Sequence, residues 1–576
     1  MALQYSTPGV YIEELDAFPH SIVEVPTAIP AFIGYTQKAA DQNLKPLIGI
    51  PYPIESQSDY ERYFGTGFTT TFPLTPTLDI DRSDPTKITR YYLYDSIRLF
   101  YANGGGQCYI ISMGIYNDPK NLPTPSPTDL VKPMTPADSS TVDKSIGTLY
   151  KVPDVTLIVI PDAAAMAPAD QAVVYQQVLM HCDDMQSRMG IFDTNLPADA
   201  TFNTISTLIN GDNNAVKGFR GSIGTNFLNY GATYFPWLEC NIVPSSEVDF
   251  TNLSIASSAL SQTFNDGNVG AIYTVYTKTI ADATAPVNAA QATLTPLQNN
   301  VNAATAALNK ANAAKPPVPA DIAAAQANLD QANAALAPAQ AALDKANSNL
   351  TTTTASANRA LQLALVASSA NYKLVMGKIT TALNELPPSG AIAGVYTSVD
   401  NNRGVWKAPA NVSLNSVNAP SHDLDKNLTD NLNVDALTGK SINAIRNFSG
   451  IGTLVFGART LDGNSDDWRY INVRRTLIMM EQSIKLALRA YVFEPNDDNT
   501  WVTVISMISN FLTNLWKQGA LAGAKPEDAF QVMCGLGVTM TSEDILQGYM
   551  RVSVLVAVVH PAEFIVLTFQ QKLQTS

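Results

Sequence analysis

The chain has 576 residues, 46% of them hydrophobic, and a formal net charge of −14 from 36 basic and 50 acidic residues. Its length predicts several domains. The acidic balance argues against a non-specific nucleic-acid binder, because such proteins displace phosphate counterions with Lys and Arg. Only 15% of the residues are charged, against about 25% in a typical soluble domain, which favours a surface partly buried against partners.

The chain shows no membrane-targeting pattern. Its first residues, "MALQYSTPGVYIEEL", have neither the basic nor the apolar segment of a secretory signal. The most apolar stretch, "VSVLVAVVHPAEFIVLTF", is interrupted by His560, Pro561 and Glu563. It therefore predicts two short strands around a turn rather than a membrane span. We expect synthesis in the cytoplasm and no direct membrane insertion.

Residues 1–30 are predicted to form an extended arm. Pro8-Gly9 and the later prolines of this segment exclude a long helix. The stretch "GVYIEEL", with Val10, Tyr11 and Ile12, has the character of a strand.

The next two segments predict α/β structure. Residues 31–115 form the first part of a core, with the buried strand "AFIGYT", then a helix, a glycine turn and the strand "CYIIS". Residues 116–280 begin with a loop rich in Pro, Thr and Ser and continue as a second α/β domain. Its strands "VTLIVIPDA" and "MGIFDTN" are of the continuous apolar type that is covered on both faces. A further strand is expected around residues 271–276.

Residues 281–360 predict an antiparallel helical hairpin. Apolar residues recur every seventh position on two consecutive arms, as in coiled coils, and "AAKPPVPA" between the arms excludes a continuous helix. The alternative is a disordered alanine-rich linker. The expected heptad positions are Val287, Leu294, Val301, Leu308, Ile322, Leu329, Leu336, Leu343 and Leu350.

Residues 361–445 continue the α/β domain, and residues 446–548 form a further domain with two helices. The first of these helices, in "INVRRTLIMMEQSIKLALRAYVF", is apolar around most of its circumference. Its narrow charged strip contains Glu481, Lys485 and Arg489. This strip is either solvated or presented as a basic stripe to an acidic partner surface, and the sequence alone favours neither.

Residues 549–576 predict a second, C-terminal arm made of strands. The residues expected to pair there are Val552, Val554, Val556, Phe564 and Val566. Strands at a chain end leave unpaired edges, which are a liability unless another chain covers them. We therefore expect both arms to be donated to neighbouring subunits, with trimming or pairing within the chain as the alternative.

No catalytic or metal-binding pattern emerges from the sequence. In "HCDD" at 181–184, consecutive helical residues point about 100° apart and do not converge. "DGNSDD" at 462–467 opens like a calcium loop but lacks the glycine and the final glutamate that the loop requires. The "GGG" at 104–106 follows a helix and lacks the spacing of a phosphate loop. We expect no enzyme activity, no cofactor and no metal.

Four stretches together resemble the tail sheath family of contractile phage tails and related injection systems. They are "YSTPGVYIEEL", "ANGGGQCYII", "PPSGAIAGVY" with "DNNRGVWKAPAN", and "GTLVFGARTL" followed by "WRYINVRRTLIMMEQSI". The resemblance covers about residues 1–115 and 385–576. It implies a mixed α/β, multidomain subunit with an inner domain built from both chain ends, an inserted outer domain and the hairpin as a further insertion.

The resemblance also implies a function and partners. Such a subunit polymerises as a helix of six-fold rings around an inner tube protein and contracts to drive the tube through a target envelope. Baseplate proteins, terminal cap proteins and paralogous sheath subunits are further expected partners, whereas nucleic acid is not. Arg474, Arg475, Lys485 and Arg489 are expected to face the tube. The particle would be released from the cell or attached to its envelope.

Two alternatives remain at this point. The sheath could belong to a true contractile-tailed phage or to a phage-free, tailocin-like injection system. A rival of another class is an α/β enzyme with a helical insertion, which would need a convergent polar cluster in a pocket.

Overall fold

The computed structural model describes residues 21–116, 122–131, 148–195, 215–254, 263–264, 266–433, 435, 437–564 and 566–567. These residues form two compact units. The first unit is drawn from residues 1–68, 90–243 and 383–576, and the second from residues 69–89 and 244–382.

The strands are Pro30–Thr36 (β1), Tyr52–Ile54 (β2), Cys108–Ile115 (β3), Leu157–Val159 (β4), Met189–Asp193 (β5), Gly231–Phe235 (β6), Leu238–Cys240 (β7), Glu385–Leu386 (β8), Val412–Ser413 (β9), Val417–Pro420 (β10), Asn443–Phe448 (β11), Gly452–Phe456 (β12), Phe530–Cys534 (β13) and Val552–Val556 (β14). The α-helices are Gln57–Phe64 (α1), Leu93–Ala102 (α2), Pro127–Leu130 (α3), Pro168–Met185 (α4), Ala215–Ser222 (α5), Gly267–Ala313 (α6), Pro319–Ser368 (α7), Ala370–Leu383 (α8), Ser389–Arg403 (α9), Lys426–Asn433 (α10), Ile471–Leu488 (α11), Asp498–Lys517 (α12), Pro526–Ala529 (α13) and Ser542–Leu546 (α14).

The first unit is organised by a large mixed sheet. Among the described residues it has nine strands in the order β2-β3-β1-β4-β5-β6-β11-β12-β9. The pairs from β3 to β11 are parallel, and the pairs β2–β3, β11–β12 and β12–β9 are antiparallel. Every residue of β1, β5 and β6 is buried, which is the burial expected of parallel strands covered on both faces.

Helices cover both faces of this sheet. Successive side chains of a strand point to opposite faces, so Phe32 and Ile33 of β1 enter different apolar clusters. Ile33 shares its cluster with Val178 of α4 and Phe219 of α5. Phe32 shares the other cluster with residues of α2 and α9. The central sheet is therefore the middle layer of an α/β arrangement.

A smaller helical and β subdomain follows the sheet in the first unit. Helices α11 and α12 share an apolar cluster that includes Met479, Met480, Ile508 and Leu512. The two-stranded antiparallel sheet β13–β14 packs against this cluster through partly buried residues such as Val554. Residues near both ends of the described chain, such as Val25 and Val558, belong to the same cluster.

The second unit contains the helical hairpin. Helices α6 and α7 lie against each other, and the segment 314–318 joins them. With 47 and 50 residues, the helices are about 70–75 Å long at 1.5 Å per residue. At the base of the hairpin, Gln362 Nε2 donates a hydrogen bond to the carbonyl oxygen of Val248 (2.9 Å).

The predicted strand at 271–276 is wrong, because these residues lie inside α6. The side chain of Asp266 accepts a hydrogen bond from the backbone of Asn268 and caps the helix. Farther along α6, Tyr276 OH donates to Asn358 Oδ1 on α7 (2.9 Å). The β-branched and aromatic residues predicted a strand, but packing against α7 stabilises the helical conformation of this segment. The seven-residue spacing of Tyr273, Ile280 and Val287 is the signal that would have extended the hairpin.

The predicted boundary between 31–115 and 116–280 does not separate two folding units. Strand β1 pairs with β3 on one side and with β4 on the other, so residues from both segments belong to one sheet. The predicted boundary at 445/446 also falls inside a strand, β11, which pairs with β6. Local patterns found the strands, whereas their order in the sheet is a long-range property.

Candidate assembly interface

Helix α11 is the element around which the predicted interface residues are arranged. It has a buried side, which includes Val473, Met479 and Met480. Glu481, Lys485 and Arg489 are exposed. Because these three positions are four residues apart, they form one strip on the helix surface.

Arg474 is buried, and its predicted contact with a tube is wrong for this subunit. Its side chain is 5% exposed. The guanidinium carbon lies 4.2 Å from the centre of the Tyr230 ring and 4.6 Å from that of Trp468. This is a cation–π arrangement, and it uses the charge within the subunit.

Arg475 is also buried, and its predicted contact with a tube is likewise wrong. Its two terminal nitrogens bind both oxygens of Asp400, at 2.9 and 2.6 Å. The side chains of both residues are only 4% exposed. Arg475 additionally donates to the carbonyl oxygen of Thr27 (2.9 Å) and lies over the ring of Tyr396 at 4.6 Å. The pair therefore secures the N-terminal segment.

Lys485 and Arg489 remain available at the surface. Among the described residues, no carboxylate forms an ion pair with either of them. Together with Glu481 they border a groove of about 470 Å³. The groove is otherwise mostly apolar, and its lining residues include Met480, Ile484, Leu488, Leu512, Val554 and Val556. An apolar groove with a charged rim suits a protein partner.

Val552, Val554 and Val556 are paired within their own subunit, which corrects the prediction that they are donated. They lie in β14, which runs antiparallel to β13 with Val554 opposite Val532. The intramolecular pair forms because β13 supplies apolar partners that pack with β14 against α11 and α12. Among the described residues, β13 and β14 form a sheet of only two strands. Each strand therefore has an open edge.

Glu563, near the end of the described residues, is held by contacts within the subunit. This carboxylate accepts hydrogen bonds from Arg459 Nη2 (2.6 Å), Asn433 Nδ2 (2.7 Å) and Tyr470 OH (3.2 Å). Burial would raise the pKa of Glu563, but the hydrogen bonds and the charge of Arg459 outweigh burial and hold it below its usual range. Phe564 and Val566, which follow directly, are 73% and 86% exposed.

The N-terminal arm residues Val10, Tyr11 and Ile12 lie outside the described residues. The described root of this arm runs along α11, where the backbone N–H of Val25 donates to Ser483 Oγ (3.0 Å). The root continues directly into β1.

The hairpin positions predicted from the heptads are the covered ones on α6 and α7. Leu294 and Leu343 are buried, each 8% exposed. The remaining predicted positions are half-buried, and most of the residues between them are exposed. These half-buried positions are Val287, Val301, Leu308, Ile322, Leu329, Leu336 and Leu350.

The buried polar cluster around His181 and Arg188 has a structural role. His181 Nε2 lies 3.0 Å from Arg188 Nη1, and the ring of His181 meets that of Tyr150 at 4.5 Å. Arg188 is buried and donates to two backbone carbonyls. A search of the described residues for groups of His, Cys, Asp or Glu that could hold a metal ion found none. Nor does any helix among them have the length and apolar character needed to cross a membrane.

Sequence reasoning missed the residues that hold the two chain ends, namely Asp400, Arg459 and Glu563. One signal was present for Glu563, because a carboxylate within the most apolar stretch of the chain needs a cationic partner. The identity of that partner was not readable, since Arg459 lies more than a hundred residues earlier in the sequence.

Comparison with known proteins gives a consistent result. Residues 464–572 match the family model of the phage tail sheath C-terminal domain. The tail sheath protein of Vibrio phage KVP40 is 29% identical over 167 residues, and that of Salmonella phage ViI is 27% identical over 155 residues. These matches cover 28% and 27% of this chain but only 23% and 24% of the relatives, which is about a quarter of the relatives' length.

Solved structures are similar over nearly the whole chain. The sheath complex of the extracellular contractile injection system PVC in its contracted state is 26% identical, with a TM-score of 0.52 and coverage of 99% of both chains. The contracted helical sheath of the anti-feeding prophage is 26% identical, with a TM-score of 0.53 and coverage of 99% of this chain and 100% of the other. A chain of the six-fold symmetrised baseplate of the anti-feeding prophage is 26% identical with a TM-score of 0.50, at the same coverage.

Proposed function

We propose that this chain is a contractile tail sheath subunit, that it polymerises helically around an inner tube and that the resulting sheath contracts to drive the tube through a target envelope. The observation that carries the proposal is the similarity to two contracted sheaths over 99% of this chain. Contraction would then be a rearrangement of a metastable lattice and would consume no nucleotide.

The open two-stranded sheet supports a polymer held together by exchanged strands. Two-stranded sheets are marginal alone, and their free edges pair readily with another chain. In this proposal β13 and β14 accept strands, which replaces the earlier expectation that Val552–Val556 is donated. The donated strands come from the N-terminal segment around Val10–Ile12 and from the C-terminal segment at Phe564 and Val566. The exposure of Phe564 and Val566 beyond the Glu563 contact agrees with this role.

The inner tube is the proposed partner of Lys485 and Arg489. Lys485 on α11 and Arg489, the residue after this helix, are both exposed, and the nearby Leu486 and Val492 are 45% and 61% exposed. Phe493 is fully exposed and has a positive φ of 76°, a conformation that costs energy for a bulky residue. A mixed basic and aromatic surface of this kind fits an acidic protein partner.

The remaining partners follow from the same proposal. The chain would form six-fold rings with copies of itself or with paralogous sheath subunits, and the rings would meet baseplate proteins at one end and a cap at the other. The similar chain in the six-fold symmetrised baseplate of the anti-feeding prophage supports the proposed contact with baseplate proteins. We place synthesis in the cytoplasm and the finished particle outside the cell or at its envelope.

A phage-free injection system is favoured over a phage tail. The whole-length similarity is to the sheaths of PVC and the anti-feeding prophage, whereas the matches to the phage sheaths span about a quarter of those proteins. Capsid genes next to the coding sequence would contradict this assignment.

Negative-stain electron microscopy of the purified chain tests the proposed function. Expressed without partners, the chain should form long tubes with helical striations. A uniform particle that forms no tubes, even after addition of the cognate tube protein, would contradict the proposal and favour the α/β enzyme.

A further inference from the structure

Three side chains of α11 contact segments near both ends of the described chain. Ser483 Oγ accepts from the backbone of Val25 (3.0 Å), and Arg475 donates to the backbone of Thr27 (2.9 Å). Near the start of the same helix, Asn472 Nδ2 donates to the carbonyl oxygen of Val559 (3.1 Å). One helix therefore contacts the root of the N-terminal arm and the root of the C-terminal arm.

The N-terminal root is fixed by the buried ion pair between Arg475 and Asp400. Asp400 Oδ2 binds Arg475 Nη2 at 2.6 Å and also accepts from Thr27 Oγ1 at 2.5 Å. Breaking a buried pair leaves an uncompensated charge and is strongly destabilising. Thr27 is thus held on both its side chain and its carbonyl oxygen.

The C-terminal root is fixed by a second charge cluster. Arg459, only 4% exposed, makes a two-pronged contact with Glu563 through Nε (3.0 Å) and Nη2 (2.6 Å). The ring of Tyr470, the residue before α11, meets His560 at 5.9 Å. Without Glu563, Arg459 would lose its anionic partner in a buried position, which favours retention of the arm.

We propose that α11 is the common anchor of both arms, so that a force on either arm in the assembled sheath is transmitted to the same helix. Thr27 and Glu563 act as positioning residues that set the point where each arm leaves the subunit. The proposal rests on the proposed function, because only strands donated to neighbours would transmit a pull during contraction.

Hydrogen exchange on the unassembled full-length subunit tests the anchor itself. Glu563→Gln should raise exchange of the amides in 557–564 at least tenfold and leave exchange in 21–29 unchanged. Thr27→Val, which keeps the side-chain shape, should raise exchange in 21–29 several-fold and leave 557–564 unchanged. Asp544→Asn removes the partly exposed ion pair with Arg551 (3.1 Å) and is the matched control. Unaltered exchange in both root segments would overturn the proposal.

Electron microscopy of contracted sheaths tests the transmission of the pull. Sheaths assembled with the tube and baseplate from Glu563→Gln subunits should break on contraction several times more often than wild-type or Asp544→Asn sheaths. Faster exchange without extra breakage would overturn the transmission of force. A wild-type chain that forms no sheath would refute the proposed function alone, because the exchange measurement still decides the anchor.

Discussion

Adjacent arginines on α11 occupy different surroundings, since neighbouring positions on a helix diverge by about 100°. Arg474 stacks on Tyr230 and Trp468, whereas Arg475 pairs with Asp400. Lys485 and Arg489, about three and four turns farther along, are exposed. Two basic residues of this segment thus make contacts within the subunit, and two are exposed at its surface.

We expect Asp193 to make the stability of the first unit depend on pH. It is 1% exposed at the end of β5, and Oδ1 accepts from the backbone N–H of Ser389 (2.8 Å). Burial raises its pKa to about 7. The folded state then binds the proton more tightly than the unfolded state, so stability is lost as pH rises from about 4 to about 7. Between pH 5 and pH 8 this group should lower the free energy of unfolding by on the order of 2 kcal/mol.

Urea unfolding of the wild-type chain and Asp193→Asn at several pH values checks this prediction. The asparagine keeps the acceptor for Ser389 but cannot ionise, so its stability should vary less with pH. Asp154→Asn, at an exposed position, is the control and should keep the wild-type slope. Equal slopes for Asp193→Asn and the wild-type chain would contradict the assignment.

The exposed basic strip gives a second residue-level prediction. The double variant Lys485→Glu and Arg489→Glu should weaken tube attachment at least tenfold while the subunit folds normally, because opposite charges at an interface become like charges. The measurement is co-purification of tube protein with the sheath at two salt concentrations.

The control for this double variant should change the net charge of the subunit by the same amount. Lys310→Glu with Lys345→Glu on the hairpin does so at exposed positions and should leave tube attachment intact. Normal co-purification of tube protein with the Lys485→Glu and Arg489→Glu variant would refute the tube-facing role.

At the scale of elements, the hairpin is stabilised by the residues between its two helices. Tyr276 on α6 bonds to Asn358 on α7, and this register brings Leu294 and Leu343 to about the same height. Most other residues of the two helices are exposed and are Ala, Asn, Thr or Gln with few charges. We propose that the hairpin decorates the exterior of the sheath or braces neighbouring subunits.

Leu343→Ala should destabilise the hairpin by about 2–5 kcal/mol, as expected for a buried leucine truncated to alanine. Leu363→Ala on the same helix, at a position 64% exposed, should cost less than about 0.5 kcal/mol. Thermal unfolding followed by far-UV circular dichroism distinguishes the two. A similar loss for both variants would show that Leu343 is not part of a packed seam.

Sequence patterns predicted the hairpin well because its register is local. Heptads from Val287 onward identify covered positions without knowledge of the rest of the fold. Strands such as β1 and β5 were found for the same reason, since their apolar runs are continuous. The pairing of β1 between β3 and β4, and of Arg459 with Glu563, depends on residues far apart in sequence. No local pattern encodes those contacts, and the assignment of Arg474 and Arg475 to the surface failed because their partners are equally distant.

At the scale of the whole molecule, the first and last described residues and the sheet β13–β14 belong to one compact unit. The roots of both arms contact α11, and the open edges of β13 and β14 lie in the subdomain that contains this helix. A subunit with this arrangement can give strands and receive them at once. Repetition of that exchange produces a continuous polymer rather than a closed pair.

The most direct test of this account is a cryo-EM reconstruction of the polymer at a resolution that traces strands. We predict that β13 and β14 are each extended at the open edge by a strand from a neighbouring subunit. One strand should come from the N-terminal arm around Val10 to Ile12 and the other from the C-terminal arm at Phe564 and Val566. Open edges on β13 and β14 in the polymer, with both arms folded back on their own subunit, would contradict it.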